Sequence, residues 1–355
     1  MDEVRSLGVR AAGEPCVFTE PAPPGEPHEG EFDVETLFSG LSAGTELAAV
    51  KGTSPFLHRR FDRETRLFEE GAPTARYPIR ALGYMEVGRV RRSRCAAVPA
   101  GALVAMAYGH RSAHRAHPAR DHVVPLPDDL DPMVGVYAAQ MGPICVNGLL
   151  HASGAGEPAA GVAGRRILVT GAGVVGLLTA LFALHHGAAD VAVADPDPRR
   201  LAVAAALGCA VVDEGEHDAA RWCKTRWRRP EPGADLVFQC RGRAAALRTA
   251  LRALRPQGTV VDLAFYQDGA AEVRLGEEFH HNGLTLRCAQ ISRVPPGCPW
   301  TRADLSAAAL GLLRAHSVAI RRHLVTDVLP LEDAPGFLRD LAARRRHVIQ
   351  AVFTF

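Results

Sequence analysis

The six residues Gly171-Ala172-Gly173-Val174-Val175-Gly176 constrain this chain more than any other stretch. A lone Gly-x-Gly-x-x-Gly is a weak signal. Here it follows the apolar run Ile167 to Thr170 and opens a helix-spaced segment from Val174 to His186, and that context gives it meaning. Each glycine has a physical task. Gly171 makes a tight turn, Gly173 admits a pyrophosphate against the backbone, and Gly176 lets the helix lie close to the strand. The helix start, at Val174 and Val175, adds unpaired N–H groups and a partial positive charge. The pattern implies a dinucleotide site.

Asp195 ends the next apolar run, 24 positions after Gly171 (195 − 171 = 24). A carboxylate there can accept hydrogen bonds from the adenosine ribose and repel a 2′-phosphate. Two like charges about 4 Å apart at an effective dielectric near 20 interact by about 4 kcal/mol, roughly a thousandfold in binding. That favours NAD over NADP. Arg199 and Arg200 stand close by, and Arg200 could accommodate a phosphate. Cys240 closes a third apolar run, Asp235 to Cys240, where loops reach the cofactor's nicotinamide half; a backbone contact is expected there.

The rest of the chain divides by pattern. Up to about residue 138, short β-type runs such as Phe32 to Phe38, Glu86 to Val90, Leu103 to Ala107 and His122 to Leu126 alternate with turn signals, which suggests a β-rich, barrel-like domain. The charged stretch Lys51 to Arg80 reads as a surface excursion with a short helix. Beyond Asp131, apolar runs alternate with helical segments, which reads as a buried parallel sheet covered on both faces. Thr259 to Phe265 and Leu284 to Ile291 are its last strands. Helices are expected at Ala303 to His316 and Ala334 to Arg344, then a final run from Ile349. The stretch Arg221 to Arg229 reads as an exposed helix or a partner contact, and exposure is favoured.

With 355 residues, two domains are expected. Lys+Arg of 41 against Asp+Glu of 39 leaves a formal charge of +2, with no long-range pull toward nucleic acid or anionic membrane. The basic runs at 91–94 and 344–347 read as solvated surface. No segment approaches the ~20 apolar residues that a bilayer span needs. The start, Met-Asp-Glu-Val-Arg, lacks a signal-peptide layout. The eight cysteines include no Cys-x-x-Cys pair, so reduced, mostly buried thiols are expected. These readings point to a cytoplasmic protein.

The glycine turn in mid-chain, behind a β-rich first half, resembles the medium-chain dehydrogenase/reductase superfamily. Supporting stretches are Ser39-Gly40-Leu41-Ser42-Ala43-Gly44-Thr45-Glu46, Gly83-Tyr84-Met85-Glu86-Val87-Gly88-Arg89-Val90 and Val123-Val124-Pro125-Leu126-Pro127. The resemblance covers nearly the whole chain. It implies an α/β fold: a GroES-like catalytic domain from residues 1–138 and 293–355, around a Rossmann domain at 139–292. Three departures fall on the family's catalytic zinc positions. Ser42 stands where a Cys is usual, Tyr84 where Gly-His-Glu has its His, and Met141 near the third ligand. The four-cysteine structural lobe is absent, with only Cys95 in that region. Ser, Tyr and Met do not make a zinc site, so no zinc is expected. Ser-Ala-Gly-Thr-Glu and the segment Phe279 to Arg287 resemble a zinc-lacking bacterial subgroup that includes bacteriochlorophyllide-type alcohol dehydrogenases and natural-product enzymes.

Without zinc, a protein group must move the proton. Tyr84 is the first candidate, because it matches a ligand position that faces the nicotinamide in this family; its phenol could act as acid or, with a lowered pKa, as base. The competing reading is a packed Tyr replacing His for volume. Thr45 and Glu46 could relay the proton, or Glu46 could cap a helix near residue 44. His110 is a further proton carrier and His280 a weaker one. The expected function is NAD-dependent interconversion of a secondary alcohol and a ketone on a small polar or natural-product-pathway substrate. A zinc-free enoyl or quinone reductase and a catalytically silent NAD-binding protein are the alternatives. The resemblance implies a homodimer or homotetramer, with Leu284 to Ile291 as the strand that extends the sheet across a two-fold axis.

Overall fold

The computed structural model describes residues 3–154, 156–267 and 269–355; Ala155, inside the expected loop at 154–164, lies outside them. The chain divides into two compact units, Met1–Gln140 with Val325–Phe355, and Met141–Leu324. The return to the first unit thus comes at 325 and not at 293. The reason is local: the helix Arg302–Ala315, started by a Thr301/Asp304 capping box, packs on the helix Met141–Ser153 of the second unit.

The first unit is built on a seven-stranded sheet. Its path runs Val325–Pro330, Gln350–Thr354, Phe32–Gly40, Glu86–Ser93, Leu103–Met106, Val124–Pro125, and Ala113–Ala116 pairs with Phe32–Gly40. Both ends of the chain therefore build one sheet, and Val352 lies opposite Gly40. Strand Glu3–Val9 pairs separately with Pro15–Pro21. The excursion after Lys51 holds a single-turn helix, Pro55–Leu57, and the short pair Arg60–Phe61 with Phe68–Glu69.

The second unit carries a six-stranded, fully parallel sheet. Its order is Ala210–Asp213, Asp190–Asp195, Arg166–Thr170, Ala234–Gln239, Leu254–Asp262, Thr285–Cys288. The sequence order reverses between the third and fourth of these strands, the topological switch point where ligands bind in such sheets. Ile167, Leu168 and Val169 are buried, as strands covered by helices on both faces must be. The last strand is shorter than expected and open on one side, with Leu286 40% exposed.

One sequence expectation changes character. The Arg/Trp-rich stretch is a helix, Ala219–Arg226, but only one face of it is solvated. Ala219, Ala220, Cys223 and Trp227 are buried in the sheet's core cluster with Leu168, Ala192 and Val237. Trp227 Nε1 donates to Asp190 Oδ2 at 2.9 Å, and Arg226 Nε reaches the same oxygen at 2.7 Å. The charged residues hid an apolar spacing of three and four. The eight cysteines are unpaired, but only Cys145, Cys209 and Cys223 are buried.

The packing separates two readings of that helix. Trp227→Ala should lower the unfolding free energy by about 3–5 kcal/mol, as for other large buried aromatics. Arg221→Ala, on the solvated face, should stay within about 0.5 kcal/mol. Urea unfolding followed by circular dichroism reads both; equal small effects would mean the helix does not pack as described.

Candidate functional site

In the second unit the glycine turn has the geometry its sequence demands. Gly171 follows the strand with φ +99°, where a side chain would be strained and would crowd the Cβ of Arg241. Gly173 is the N-cap of the helix Val174–His185. A Cβ on Gly176 would land on the Gly171 carbonyl oxygen, so only glycine lets the helix lie this close. Val174 and Val175 form the first turn, whose N–H groups have no partners within the helix.

Asp195 is buried at the end of its strand. Its Oδ2 accepts from Ala172 N–H at 2.9 Å inside the glycine turn, and Oδ1 from Asp197 N–H at 2.9 Å. A carboxylate offers about four acceptor sites, so two remain for ribose hydroxyls. Arg200 Nη1 lies 3.5 Å from where a Gly173 Cβ would stand, beside the turn as expected. Arg199 instead pairs with Asp197 at 3.0 Å. Cys240 N–H donates to Thr170 O at 2.9 Å, which removes that donor from the expected backbone contact. Burial pushes the Cys240 thiol well above its ordinary range.

Sequence reasoning missed the buried polar row at the ends of three neighbouring strands. Thr170 Oγ1 donates to Gln239 Oε1 at 2.6 Å, Gln239 Nε2 to Tyr266 Oη at 2.8 Å, and Tyr266 Oη to Asp262 Oδ2 at 2.8 Å. It also missed the pairing of Arg241 Nη1 with Glu214 Oε2 at 3.0 Å. Apart from the local Tyr266–Asp262 bond, these contacts join residues 27 or more apart, which strand and helix periods do not register.

In the first unit, four of the expected catalytic residues fall in one region. The helix Ala43–Lys51 begins at Ser42, and the Ser42 hydroxyl bonds directly to the Tyr84 hydroxyl. Thr45 Oγ1 is 3.5 Å from the same phenol. Behind them, Glu46 is only 3% exposed. Its Oε1 accepts from Ser42 N–H at 2.7 Å and its Oε2 meets His110 Nε2 at 2.7 Å. Glu46 therefore holds the start of the helix with one oxygen, as the capping reading expects, and His110 with the other. His110, expected as a proton carrier, is fully buried behind Glu46, out of a substrate's reach. His280 is exposed beside His281 and has no part here.

The second acid of this cluster is Glu86, fully buried. Cross-strand pairing sets Glu86 opposite Ser39, whose hydroxyl donates to Glu86 Oε1 at 2.9 Å and also bonds His110 Nδ1. Tyr108 N–H and Gly109 N–H donate to Oε2 at 2.8 and 3.1 Å. Strand alternation places Glu86 on the face it shares with Gly88 and buried Val90, away from exposed Arg89 and Arg91, and the 108–110 loop closes over it. Gly83, at φ +93°, makes room: a Cβ there would sit 2.7 Å from the His110 ring.

Charge balance follows from burial. Burial alone lowers the His110 pKa, but the Glu46 carboxylate, by charge and hydrogen bond, and Glu86 outweigh it and raise it. Donor counting agrees: Ser39 gives its one proton to Glu86, so His110 Nδ1 must donate to Ser39, while Nε2 faces Glu46. Burial pushes Glu86 up, against its hydrogen bonds. Burial also pushes the Tyr84 phenol up; the Ser42 and Thr45 bonds pull the other way, and the charges of Glu46 and Glu86 add to the rise. The expectation that Tyr84 could serve as a base through a lowered pKa is thereby corrected.

The donor set does not suit zinc. Ser42 and Tyr84 offer neutral hydroxyls, and among the described residues no group of three His, Cys, Asp or Glu is arranged to hold a metal. The dinucleotide turn, in contrast, has the backbone cradle and the strand-end acid that an NAD-type cofactor requires.

Known proteins place these features. Residues 174–295 match the zinc-binding dehydrogenase family. The chain is 31% identical over 152 residues to D-xylulose reductase of Saccharomyces cerevisiae, covering 42% of this chain and 40% of that protein. It is 25% identical over 298 residues to D-guloside 3-dehydrogenase of Shigella flexneri, covering 80% and 81%. The chain spans about a third to a half of the length of several other curated relatives that it matches. Among solved structures, galactitol-1-phosphate dehydrogenase of Escherichia coli superimposes with TM-score 0.76 at 19% identity, covering 99% of this chain and all of that one. A Sinorhizobium meliloti protein of the zinc-binding dehydrogenase type, bound to NADP, gives TM-score 0.75 at 19% identity over the full length of both. In its two-unit α/β architecture and its glycine turn the chain has the fold of these dehydrogenases, and its residues 174–295 are similar to the zinc-binding dehydrogenase family.

Proposed function

We propose that this protein is a zinc-independent, NAD(H)-dependent oxidoreductase that interconverts a secondary alcohol and a ketone. The observation that carries the reading is the Tyr84–Ser42–Thr45 hydroxyl cluster, backed by buried carboxylates, with Ser42 and Tyr84 at the positions that the family resemblance gives to zinc ligands. Relatives named for polyols and sugars, among them D-xylulose reductase and galactitol-1-phosphate dehydrogenase, support a small polyhydroxylated substrate. Asp195 supports NAD over NADP, as argued from charge. A cytoplasmic enzyme fits the composition, and among the described residues no helix is long and apolar enough to cross a membrane.

A bound dihydronicotinamide supplies the hydride for the carbonyl carbon. The chain's own part is the proton. Tyr84 O–H donates to the carbonyl oxygen as negative charge develops there, doing by hydrogen bond what a metal does by Lewis acidity in relatives. The phenolate left behind is reprotonated through Ser42, or from water through the exposed Thr45 hydroxyl. Glu46 holds the start of the helix by the Ser42 N–H and so fixes the Ser42 hydroxyl under the phenol. Because burial, reinforced by the charges of Glu46 and Glu86, keeps the phenol protonated, the resting site is an acid, poised for ketone reduction. A homodimer formed across the open edge of Thr285–Cys288 completes the proposal.

Two outcomes follow. Tyr84→Phe should lower kcat for NADH-dependent ketone reduction by about 10²–10⁴-fold, the usual worth of a general acid. With wild type, the reduction rate depends on the acid form of a phenol held above its ordinary value, so it should stay level through neutral pH and fall only above about 10. A fall centred near pH 7 would point to another donor. Light scattering should give twice the chain mass or more, and Leu286→Arg on the open edge should shift it to a single chain; an unchanged mass would remove this interface.

A further inference from the structure

Beyond Asp195, the adenosine end of the dinucleotide turn carries a charge arrangement that the sequence motif does not contain. Glu214 follows the strand Ala210–Asp213, whose last residue lies opposite Asp195 in the sheet. Glu214 N–H donates to the Asp195 carbonyl at 3.3 Å. Two acids thus stand side by side where the ribose 2′-hydroxyl is bound in folds of this kind. Burial raises the Glu214 carboxyl; Arg241 pulls it down and Asp195 pushes it further up.

Arg241 comes from the other half of the sheet and is held with care. Gln239 grips its backbone at both ends: Gln239 Oε1 accepts from Arg241 N–H at 3.1 Å, and Gln239 Nε2 donates to Arg241 O at 2.5 Å. That amide is itself fixed by Thr170 and Tyr266. The Arg241 Cβ lies 3.0 Å from the place a Gly171 Cβ would take, so its stem begins against the glycine turn, and its guanidinium ends at Glu214, 3.0 Å away. The Arg241 side chain is 38% exposed. An ion pair this open adds little to stability, so folding does not account for so firm a backbone hold.

We infer that Glu214 is a specificity-determining residue: by claiming the Arg241 guanidinium beside Asp195 it denies a 2′-phosphate its counter-ion. An unclaimed Arg241 would offer the planar, bidentate donor that suits phosphate. The inference rests on the reading of this turn as a dinucleotide site with NAD preference, and it makes that preference a property of three residues. Asp195 repels the phosphate, and Glu214 disarms the arginine that would attract it.

Fluorescence titration with NADH and with NADPH tests this without turnover or a known substrate. The readout is the ratio of the two dissociation constants. Wild type should favour NADH. Glu214→Gln, which keeps the size of the side chain and removes its charge, should shift the ratio toward NADPH by at least tenfold. Adding Arg241→Ala to Glu214→Gln should reverse most of that shift. A wild-type preference for NADH that Glu214→Gln leaves unchanged would overturn this inference alone. A shift that survives Arg241→Ala would also overturn it, because charge removal and not the arginine would then be responsible. A wild-type preference for NADPH, or binding of neither nucleotide, would overturn the underlying reading as well.

Discussion

Glu46 is a carboxylate almost removed from water, and both of its oxygens are committed. One holds the Ser42 N–H at the start of a helix; the other holds His110. Burying a charge is costly unless it is paired and hydrogen-bonded, and here the partners are drawn from distant segments. His110 sits on a covered loop, Ser39 and Glu86 on paired strands, and Gly83 opens the space that the imidazole fills. The hydroxyl cluster of half-buried Tyr84, buried Ser42 and exposed Thr45 rests on this layer. Removing one member leaves another buried polar group unsatisfied, which is more disruptive than losing the single contact.

In the proposed mechanism the same layer bears on the direction of the chemistry. Burial, with two acids behind the phenol, discourages its ionisation, which suits a donor. A metal in relatives of this superfamily reaches a similar end by polarising the carbonyl. In both cases the protein must offset negative charge on an oxygen in the transition state. The present arrangement does so with hydroxyls whose orientation is fixed by a helix start.

The dinucleotide unit was legible in the sequence because its signals are local. The strand, the glycine turn, the helix and Asp195 lie within 30 residues, and periodicity reports each of them. The β-rich half is legible as a class, with Thr45, Glu46, Tyr84 and His110 as candidates, while Ser42 reads only as a departure from a zinc-ligand cysteine. What the sequence hid is non-local. The partners that satisfy the buried Glu86 carboxylate, the Ser39 hydroxyl and the N–H groups of Tyr108 and Gly109, come from other segments. The Trp227 corner hid among arginines. The helix Arg302–Ala315 gives no sign of which unit it joins, since an amphipathic stripe does not name its partner. Tyr84 could be placed from sequence but not its protonation, which depends on carboxylates brought in by folding.

The central claim is that hydride transfer here relies on a tyrosine acid and not on zinc. The direct measurement is NADH-dependent reduction of a panel of polyhydroxy ketones by chelator-treated protein, with its metal content determined on the same sample. The account predicts undiminished turnover with far less than one zinc per chain. Turnover that is lost on chelation and returns in proportion to added zinc would contradict it.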